Sequence, residues 1–159
     1  MKEQVGQDAF RFFLVSYDPN THMDFDLDLA KKKTESNPVY YIQYAHARIS
    51  GILNSAGEKM GEGLNVDLAV LDKEEERDLM KAIFGFSYCL FVCAKQLDPY
   101  PLTVYLQSLA SYFHRFYDRH KVLSDDESRT IARLFLIRAV KIILAQGLHI
   151  LGVSAPERM

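Results

Sequence analysis

Among its 159 residues the sequence has no tryptophan, only two cysteines and only five prolines. Two cysteines cannot form a disulfide framework, and Cys89 and Cys93 are four positions apart, which places them on one helix face where bridging is poor. We therefore expect buried free thiols. Long apolar runs are also missing, since the longest, Ala82 to Ala94, is interrupted by Gly85 and Ser87 and is too short to cross a bilayer.

The first residues, Met1-Lys2-Glu3-Gln4, contain no apolar signal core. Together with the missing membrane span, this predicts a soluble, cytoplasmic protein with no membrane partner. Hydrophobic residues make up 48% of the chain and charged residues 25%, which is a globular rather than a disordered composition. We expect one folded domain, or one domain plus a short fragment of another.

Motifs for metal binding and catalysis are scarce. Asp24, Asp26, Asp28 and Glu35 fit four positions of a calcium loop, but Leu29 stands where the sharp turn requires glycine. The five histidines form no zinc pattern, and there is no Gly-x-Ser-x-Gly motif or Gly-rich phosphate loop. We expect no metal site and no catalytic residue in this chain.

Helical periodicity dominates what is present. After Pro101, apolar residues recur at intervals of four and three, as on a core-facing helix stripe: Leu102, Leu106, Leu109, Phe113 and Phe116. Asn37-Pro38 predicts the capped start of an earlier helix, and Glu74 to Glu76 suit the first turn of another. Short alternation at Phe25 to Leu29 is the only strand-like pattern.

The last helix is predicted to start at a capping box formed by Ser124 and Glu127 and to stop at Gly147. Between the helices, Asn54 to Asp67 is rich in glycine and predicts a mobile loop. The sum is an all-α bundle of about five to six helices with short connections.

One predicted helix face carries aromatic and basic side chains together. His114, Tyr117 and Lys121 recur at helical spacing beside Arg115, away from the apolar stripe, and such a face suits unpaired RNA bases and their phosphates. The net charge of -2 does not indicate nucleic-acid binding, yet residues from Pro99 onward hold 8 Lys and Arg against 5 Asp and Glu. The spacing alone favours an ordinary solvated face, and half-buried tyrosines equally explain the run Tyr40 to Tyr44.

Several separate strings resemble the class I arginyl-tRNA synthetases, in the segment after their second ATP signature. These are Val5-Gly6-x-Asp8-Ala9-x-Arg11-Phe12-Phe13-Leu14, His22-x-Asp24 to Ala30, and Asn37-Pro38-Val39-Tyr40-Tyr41-x-Gln43-Tyr44-Ala45-His46-Ala47-Arg48. Further on, His114 to Tyr117, Arg138 to Val140 and the ending Leu151 to Met159 resemble the anticodon-binding (DALR-type) domain of that family. The resemblance covers nearly the whole chain and is weak from Ser55 to Tyr88.

The resemblance implies recognition of the tRNA(Arg) anticodon stem and loop. Whole enzymes of the family use ATP and Mg2+ to make arginyl-tRNA, but both ATP signatures are absent, and Glu58-Lys59-Met60-Gly61 only partly matches one of them. By analogy we expect a C-terminal piece that is inactive alone, has no cofactor of its own, and has tRNA(Arg) and the missing catalytic domain as partners, with no DNA. Residues 1–36 would be the remnant of the linking segment and 37–159 the anticodon-binding domain.

The implied RNA contacts are spread over two helices and the C-terminal residue. They are Tyr41, Tyr44, His46, Arg48, His114, Arg115, Tyr117, Lys121 and Met159. Apolar surface that faces the catalytic domain in the whole enzyme is expected around Phe10, Phe12 and Phe13. The alternative is a helical protein-interaction or regulatory module derived from a synthetase remnant, which would not bind RNA.

Overall fold

The structure, a computed structural model, describes residues 5–17, 24–57 and 66–159. Within these ranges it contains six α-helices and no β-strand, which confirms the all-α prediction. The helices are α1 (Gln7–Val15), α2 (Leu27–Lys31), α3 (Pro38–Ala56), α4 (Glu74–Gln96), α5 (Tyr100–Arg119) and α6 (Glu127–Ile150), with a 3-10 turn at Leu68–Val70. No helix in these ranges is long and apolar enough to span a membrane.

Helices α5 and α6 form the centre of a bundle. Each contacts the other and also contacts both α3 and α4, whereas α3 and α4 do not touch one another in the described ranges. The apolar stripe predicted after Pro101 is fully buried in this arrangement, with Leu106, Leu109, Phe113 and Phe116 at 0% exposure. Helices α3 and α4 therefore lie on opposite sides of the central pair, and α1 contacts α2, α3 and α5.

The start of α3 follows the prediction. The Asn37 side chain accepts a hydrogen bond from the backbone N–H of Val39 at 3.2 Å, and Pro38 occupies the first helical position. The Asn37 amide also donates to the carbonyls of Ala30 at 3.1 Å and Lys32 at 2.8 Å. One side chain thus caps α3 and fixes α2 against it.

The strand-like run at Phe25 to Leu29 contains a helix start, and the predicted cap of the last helix is wrong. Phe25 to Leu29 does not form a strand, because the Asp26 carboxylate accepts from the Leu29 N–H at 2.8 Å and begins α2. The cap of α6 is Asp126 rather than Ser124, since Asp126 accepts from Arg129 N–H at 3.0 Å. Ser124 is instead hydrogen-bonded to Thr130.

Gly147 does not end α6, contrary to the sequence prediction. It lies inside the helix, and a Cβ atom at this position would come within 2.5 Å of the Leu106 side chain on α5. The helix instead ends at Ile150, and Gly152 turns the chain with φ of 67°, a conformation that favours glycine. Gly147 is therefore a close-packing residue, and Gly152 directs the residues that follow.

The first turn of α4 is acidic and faces the central helices. Glu76 is completely buried and pairs with Arg133 of α6 at 2.7 Å, and its carboxylate also accepts from the backbone N–H of Lys73 at 3.0 Å. Glu75 accepts from His120 Nε2 at 2.8 Å and pairs with Arg119 at 2.5 Å. These pairs join α4 to the ends of α5 and α6.

The apolar surface predicted around α1 is mostly absent. Phe12 is fully buried, Phe13 is 5% exposed and Phe10 is half-buried, because α1 packs its apolar face against α2 and α3. The free thiols are confirmed, with Cys89 buried and Cys93 partly buried. Of the predicted glycine-rich loop, Asn54 to Ala56 belong to α3, and 58–65 lie outside the described residues, as does most of the partial signature match at 58–61.

Candidate nucleic-acid interface

Facing sides of α3 and α5 carry a continuous set of aromatic and basic side chains, which we call the aromatic row: Tyr40, Tyr44, Arg48, His114 and Tyr117. The rings of Tyr40 and Tyr44 are nearly parallel, at 7°, with centroids 6.1 Å apart. Tyr44 and His114 follow at 5.8 Å and 16°. The row forms because Tyr40, Tyr44 and Arg48 are each one turn apart on α3.

Arg48 lies between two tyrosines of the row. Its guanidinium carbon is 5.0 Å from the centroid of the Tyr44 ring and 4.7 Å from that of Tyr117 on α5. It also donates a hydrogen bond to the Tyr44 hydroxyl. Cation–π contacts of this kind stabilise the side chains in one arrangement, so the row is ordered before any ligand binds.

His114 and Tyr41 form the buried side of the row. Their ring centroids are 4.5 Å apart, and the buried Nε2 atom of His114 has no hydrogen-bond partner among the described residues. Burial lowers the pKa of His114, and the Arg48 charge lowers it further, while the Tyr41 backbone, Glu35 and Asp118 oppose these effects. Burial also raises the pKa of Tyr41. Both side chains are therefore held neutral near pH 7.

The C-terminal residues are fixed against α1 and α3 by a polar cluster, which we call the tail clamp: Asp8, Gln43 and Ser154. The Gln43 amide donates to the Asp8 carboxylate at 2.8 Å and to the Ser154 carbonyl at 2.9 Å. The Ser154 hydroxyl also donates to Asp8. Because Gln43 lies one turn from Tyr40 and Tyr44 follows it directly, the clamp places the end of the chain next to the row.

His46 belongs to the support of the tail rather than to the exposed row. It is 3% exposed, and its Nδ1 atom lies 2.8 Å from the Pro156 carbonyl, to which it donates as the neutral ring. Burial lowers the pKa of His46, an effect that the Pro156 carbonyl opposes. Lys141 of α6 pairs with Glu157 at 2.8 Å, and this contact lowers the pKa of Glu157.

Two open grooves flank the row. One, of about 630 Å³, is lined by Tyr40, Gln43, Met159 and the lysine run 31–33 at the end of α2. The other, of about 590 Å³, is lined by Arg48, Tyr117 and Lys121, together with residues at the ends of α3 and α5. A strand of nucleic acid lying across the row would meet cations in both grooves.

The other cations of the C-terminal helices are largely used inside the protein. Arg115 pairs with Asp78 of α4 and lies 5.2 Å from the centroid of Tyr112. Arg129 pairs with Asp72 at 2.9 Å, and the same contact holds the pKa of that carboxyl at about 2. Hydrogen bonds from His120 and Arg119 likewise hold the pKa of Glu75 at about 2. The basic excess after Pro99 is thus mostly matched by acidic residues of α4 and its entry.

Five of the predicted contact residues come together in and behind the row: Tyr41, Tyr44, Arg48, His114 and Tyr117. Lys121 and Met159 line its two grooves, whereas Arg115 faces α4 and His46 is buried. The tail clamp could not be predicted from the sequence, because no local pattern relates residues 8, 43 and 154. Tyr40 could have been found from its spacing to Tyr44.

The described residues offer no metal site. They contain no group of three or more His, Cys, Asp or Glu side chains placed to hold an ion. Asp26, one of the carboxylates that matched the calcium template, caps α2 instead.

The chain is similar along nearly its whole length to arginine–tRNA ligases. The chain is 50% identical over 162 residues to an arginine–tRNA ligase from Thermotoga maritima and 48% identical over 160 residues to one from Carboxydothermus hydrogenoformans. Each match covers 99% of this chain but 29% of the relative. The chain therefore spans less than a third of the length of the curated relatives it matches.

A solved structure shows the same fold. The arginyl-tRNA synthetase of Thermus thermophilus superposes with a TM-score of 0.84 at 32% identity, over 98% of this chain and 27% of that protein. The family model described as "DALR anticodon binding domain" matches residues 42–159, from the first turns of α3 to the last residue. Since this match takes in most of the chain, the chain belongs to the DALR anticodon-binding domain family.

Proposed function

We propose that this chain recognises the anticodon stem and loop of tRNA(Arg) as the C-terminal part of an arginyl-tRNA synthetase. The observation that carries the proposal is the ordered row in which Arg48 lies between Tyr44 and Tyr117. Unpaired loop bases stack on the tyrosine rings, while Arg48 and Lys121 contact phosphates. Membership of an anticodon-binding family supports this reading over the interaction-module alternative.

In the whole enzyme, arginine, ATP and tRNA(Arg) would be converted to arginyl-tRNA in the cytoplasm. The catalytic domain would hold ATP and Mg2+, and none of the residues of this chain is assigned to them. Residues 1–36 would link that domain to the anticodon-binding domain at 37–159. The isolated chain would bind tRNA(Arg) but would show no arginine-dependent pyrophosphate exchange.

The contacts of the nine predicted residues differ in kind. Tyr44, Tyr117 and Met159 would meet loop bases directly, since they lie on the row or line its grooves. His46 would act through the tail, because it is buried against Pro156. Arg115 would reach a phosphate only by exchanging its partner Asp78, so we expect its contribution to be small.

The test is a titration of the chain with fluorescent tRNA(Arg) and with a non-cognate tRNA at two salt concentrations. We expect tighter binding of tRNA(Arg), weakened by salt. Tyr117→Ala should weaken it about 5- to 100-fold, which corresponds to the loss of one stacked base. Tyr100→Ala is the matched control, because it removes a partly buried tyrosine from the opposite end of the same helix and should leave the affinity unchanged.

Equal binding of the two tRNAs would contradict cognate recognition. Equal loss in the Tyr117 and Tyr100 variants would contradict the assignment of the row. If neither tRNA bound at either salt concentration, the interaction-module alternative would replace the proposal.

A further inference from the structure

The outward side of α4 exposes three aromatic side chains in successive turns. Phe84 is 83% exposed, Tyr88 71% and Phe91 60%. Side chains of this size are seldom left in water in such a continuous set unless they bind something. The ring centroids of Tyr88 and Phe91 are 6.5 Å apart, with 30° between the ring planes.

Cations extend this set in both directions along the helix. Arg77 and Lys81 precede the aromatics, and Lys95 follows them, and all three are exposed. At 100° per residue, the six side chains fall within an arc of about 80°. We call these six residues the outer stripe: Arg77, Lys81, Phe84, Tyr88, Phe91 and Lys95.

The carboxylates of α4 do not offset the charge of the outer stripe. Glu75, Glu76 and Asp78 are each paired with basic side chains of α5 or α6 on the other side of the helix. Glu74, at the first position of α4, is the nearest exposed carboxylate. No cation of the stripe forms an ion pair with another described residue. The stripe is therefore an aromatic surface with exposed positive charge at both ends, and Glu74 lies one turn before Arg77.

The charges argue against a second copy of the chain as the partner. Antiparallel pairing of two α4 helices centred on Tyr88 would place Lys81 opposite Lys95 twice, and parallel pairing would place each lysine opposite its own copy. Both arrangements bring like charges together. The partner must instead carry negative charge and flat or apolar groups.

We propose that the outer stripe binds single-stranded RNA at a site separate from the aromatic row. Bases stack on Phe84, Tyr88 and Phe91, and phosphates contact the flanking cations. Helix α4 contacts α5 and α6 but not α3, so the stripe lies across the central pair from the part of the row that α3 supplies. This site goes beyond the proposed anticodon recognition and does not depend on it.

The stripe is suited to unpaired rather than duplex RNA. Ring faces on a convex helix can meet only bases that are free to leave a stack, and stacking tolerates any base identity. We therefore expect little sequence preference, a strong dependence on salt, and weak binding of a duplex of the same length.

The test uses a fluorescein-labelled 12-nucleotide oligouridylate and fluorescence anisotropy at low and moderate salt. The triple variant Phe84→Ala, Tyr88→Ala and Phe91→Ala should bind about tenfold more weakly or worse, since three stacking positions are lost. Leu97→Ala is the matched control, because it removes a side chain that is 89% exposed beyond the stripe and should leave the affinity within about twofold. Circular dichroism checks that each variant remains folded.

Two further variants separate this site from the aromatic row. Lys81→Ala with Lys95→Ala should reduce the slope of log affinity against log salt by about 0.7 for each phosphate contact removed. When combined with Tyr117→Ala, the triple variant should still weaken oligouridylate binding by the same factor as in the natural chain, whatever Tyr117→Ala itself does to RNA binding. The two proposals can thus fail independently.

The proposal is overturned if oligouridylate does not bind at low salt, or if the triple variant binds it as well as the natural chain does. It is also overturned if a duplex binds equally well, or if the triple variant has no effect on binding when combined with Tyr117→Ala. A poly-glutamate peptide that binds as tightly as oligouridylate would show that charge alone is recognised, and would identify the stripe as a surface for an acidic protein instead.

Discussion

The aromatic row and the outer stripe of α4 present the same two kinds of side chain but hold them differently. In the row, Arg48 is fixed between two tyrosines, and the tail clamp supports the same helix from behind. In the stripe, neighbouring aromatics project into solvent from a single helix. A surface ordered in advance loses less entropy on binding and can select its partner, whereas a loose one suits a ligand of variable sequence.

The paired acidic residues at the start of α4 face inward and leave its outer side positive. Removing the fully buried one, Glu76, should give the largest loss of stability. Glu76→Ala would leave Arg133 as an unpaired charge in the interior, which costs about 3–5 kcal/mol of the free energy of unfolding. Urea denaturation followed by circular dichroism measures this. Glu74→Ala, at an exposed position two residues earlier, is the control and should change stability little.

If both variants lost the same stability, the buried pair would not be what joins α4 to α6. Loss of the pair should also loosen the whole of α4, and the outer stripe with it. The α3 part of the aromatic row should be less affected, because α3 and α4 share no contact in the described ranges, whereas His114 and Tyr117 lie on α5, which α4 contacts directly.

Releasing the C-terminal tail should make the aromatic row less ordered, and therefore more like the outer stripe. Gln43→Met keeps the size of the side chain but removes the donor shared by Asp8 and Ser154, at a cost of about 1–3 kcal/mol. Carboxypeptidase should then release the last residues faster, and tRNA(Arg) should bind more weakly. Oligouridylate binding at the stripe should not change.

Gln146→Met is the control for this substitution, since Gln146 is exposed on α6. It should alter neither digestion nor affinity. Weaker tRNA(Arg) binding without faster digestion would mean that Gln43 contacts RNA itself rather than positioning the tail.

Acidification should reduce stability by a smaller amount, and the effect should originate near the aromatic row, since His114 belongs to the row and no histidine belongs to the outer stripe. The pKa values of His46 and His114 are lowered in the folded chain, so the unfolded chain binds more protons as the pH falls through about 6.5. Stability is therefore complete above that pH and declines below it. Thermal unfolding at pH 7.5 and 5.5 should show the decline in stability.

His114→Phe isolates one contribution to this pH dependence. It retains an aromatic ring against Tyr41 and removes both the titrating group and the buried Nε2 atom that has no partner among the described residues. The decline between pH 7.5 and 5.5 should become shallower. His149→Gln, at an exposed position, should reproduce the natural profile, and an unchanged slope in His114→Phe would contradict the assignment.

The sequence was sufficient for the features that depend on local patterns. The apolar stripe of α5 and the Asn37 cap of α3 could be read directly, because both arise from spacing along one helix. Gly147 was misread because a glycine near a helix end indicates a stop as often as a close contact, and only the position of Leu106 decides between them. The strand-like run at Phe25 was too short to outweigh the Asp26 cap.

The site was less predictable than the fold. The family resemblance indicated most residues of the row, but not that Arg48 would lie between two tyrosines from different helices. The tail clamp joins residues that are 35 and 111 positions apart. The burial of acidic residues at the start of α4, which leaves its outer side positive, likewise requires α5 and α6 in place.

The missing side chain at Gly147 also restricts how α5 can move relative to α6. With the branched end of Leu106 seated where a side chain is missing, α5 cannot slide along α6 without forcing that end into the next turn of the helix. The two central helices are thereby locked in axial register. A ligand that displaces Tyr117, near the C-terminal end of α5, would therefore move α5 and α6 together. The two helices would not slide past each other.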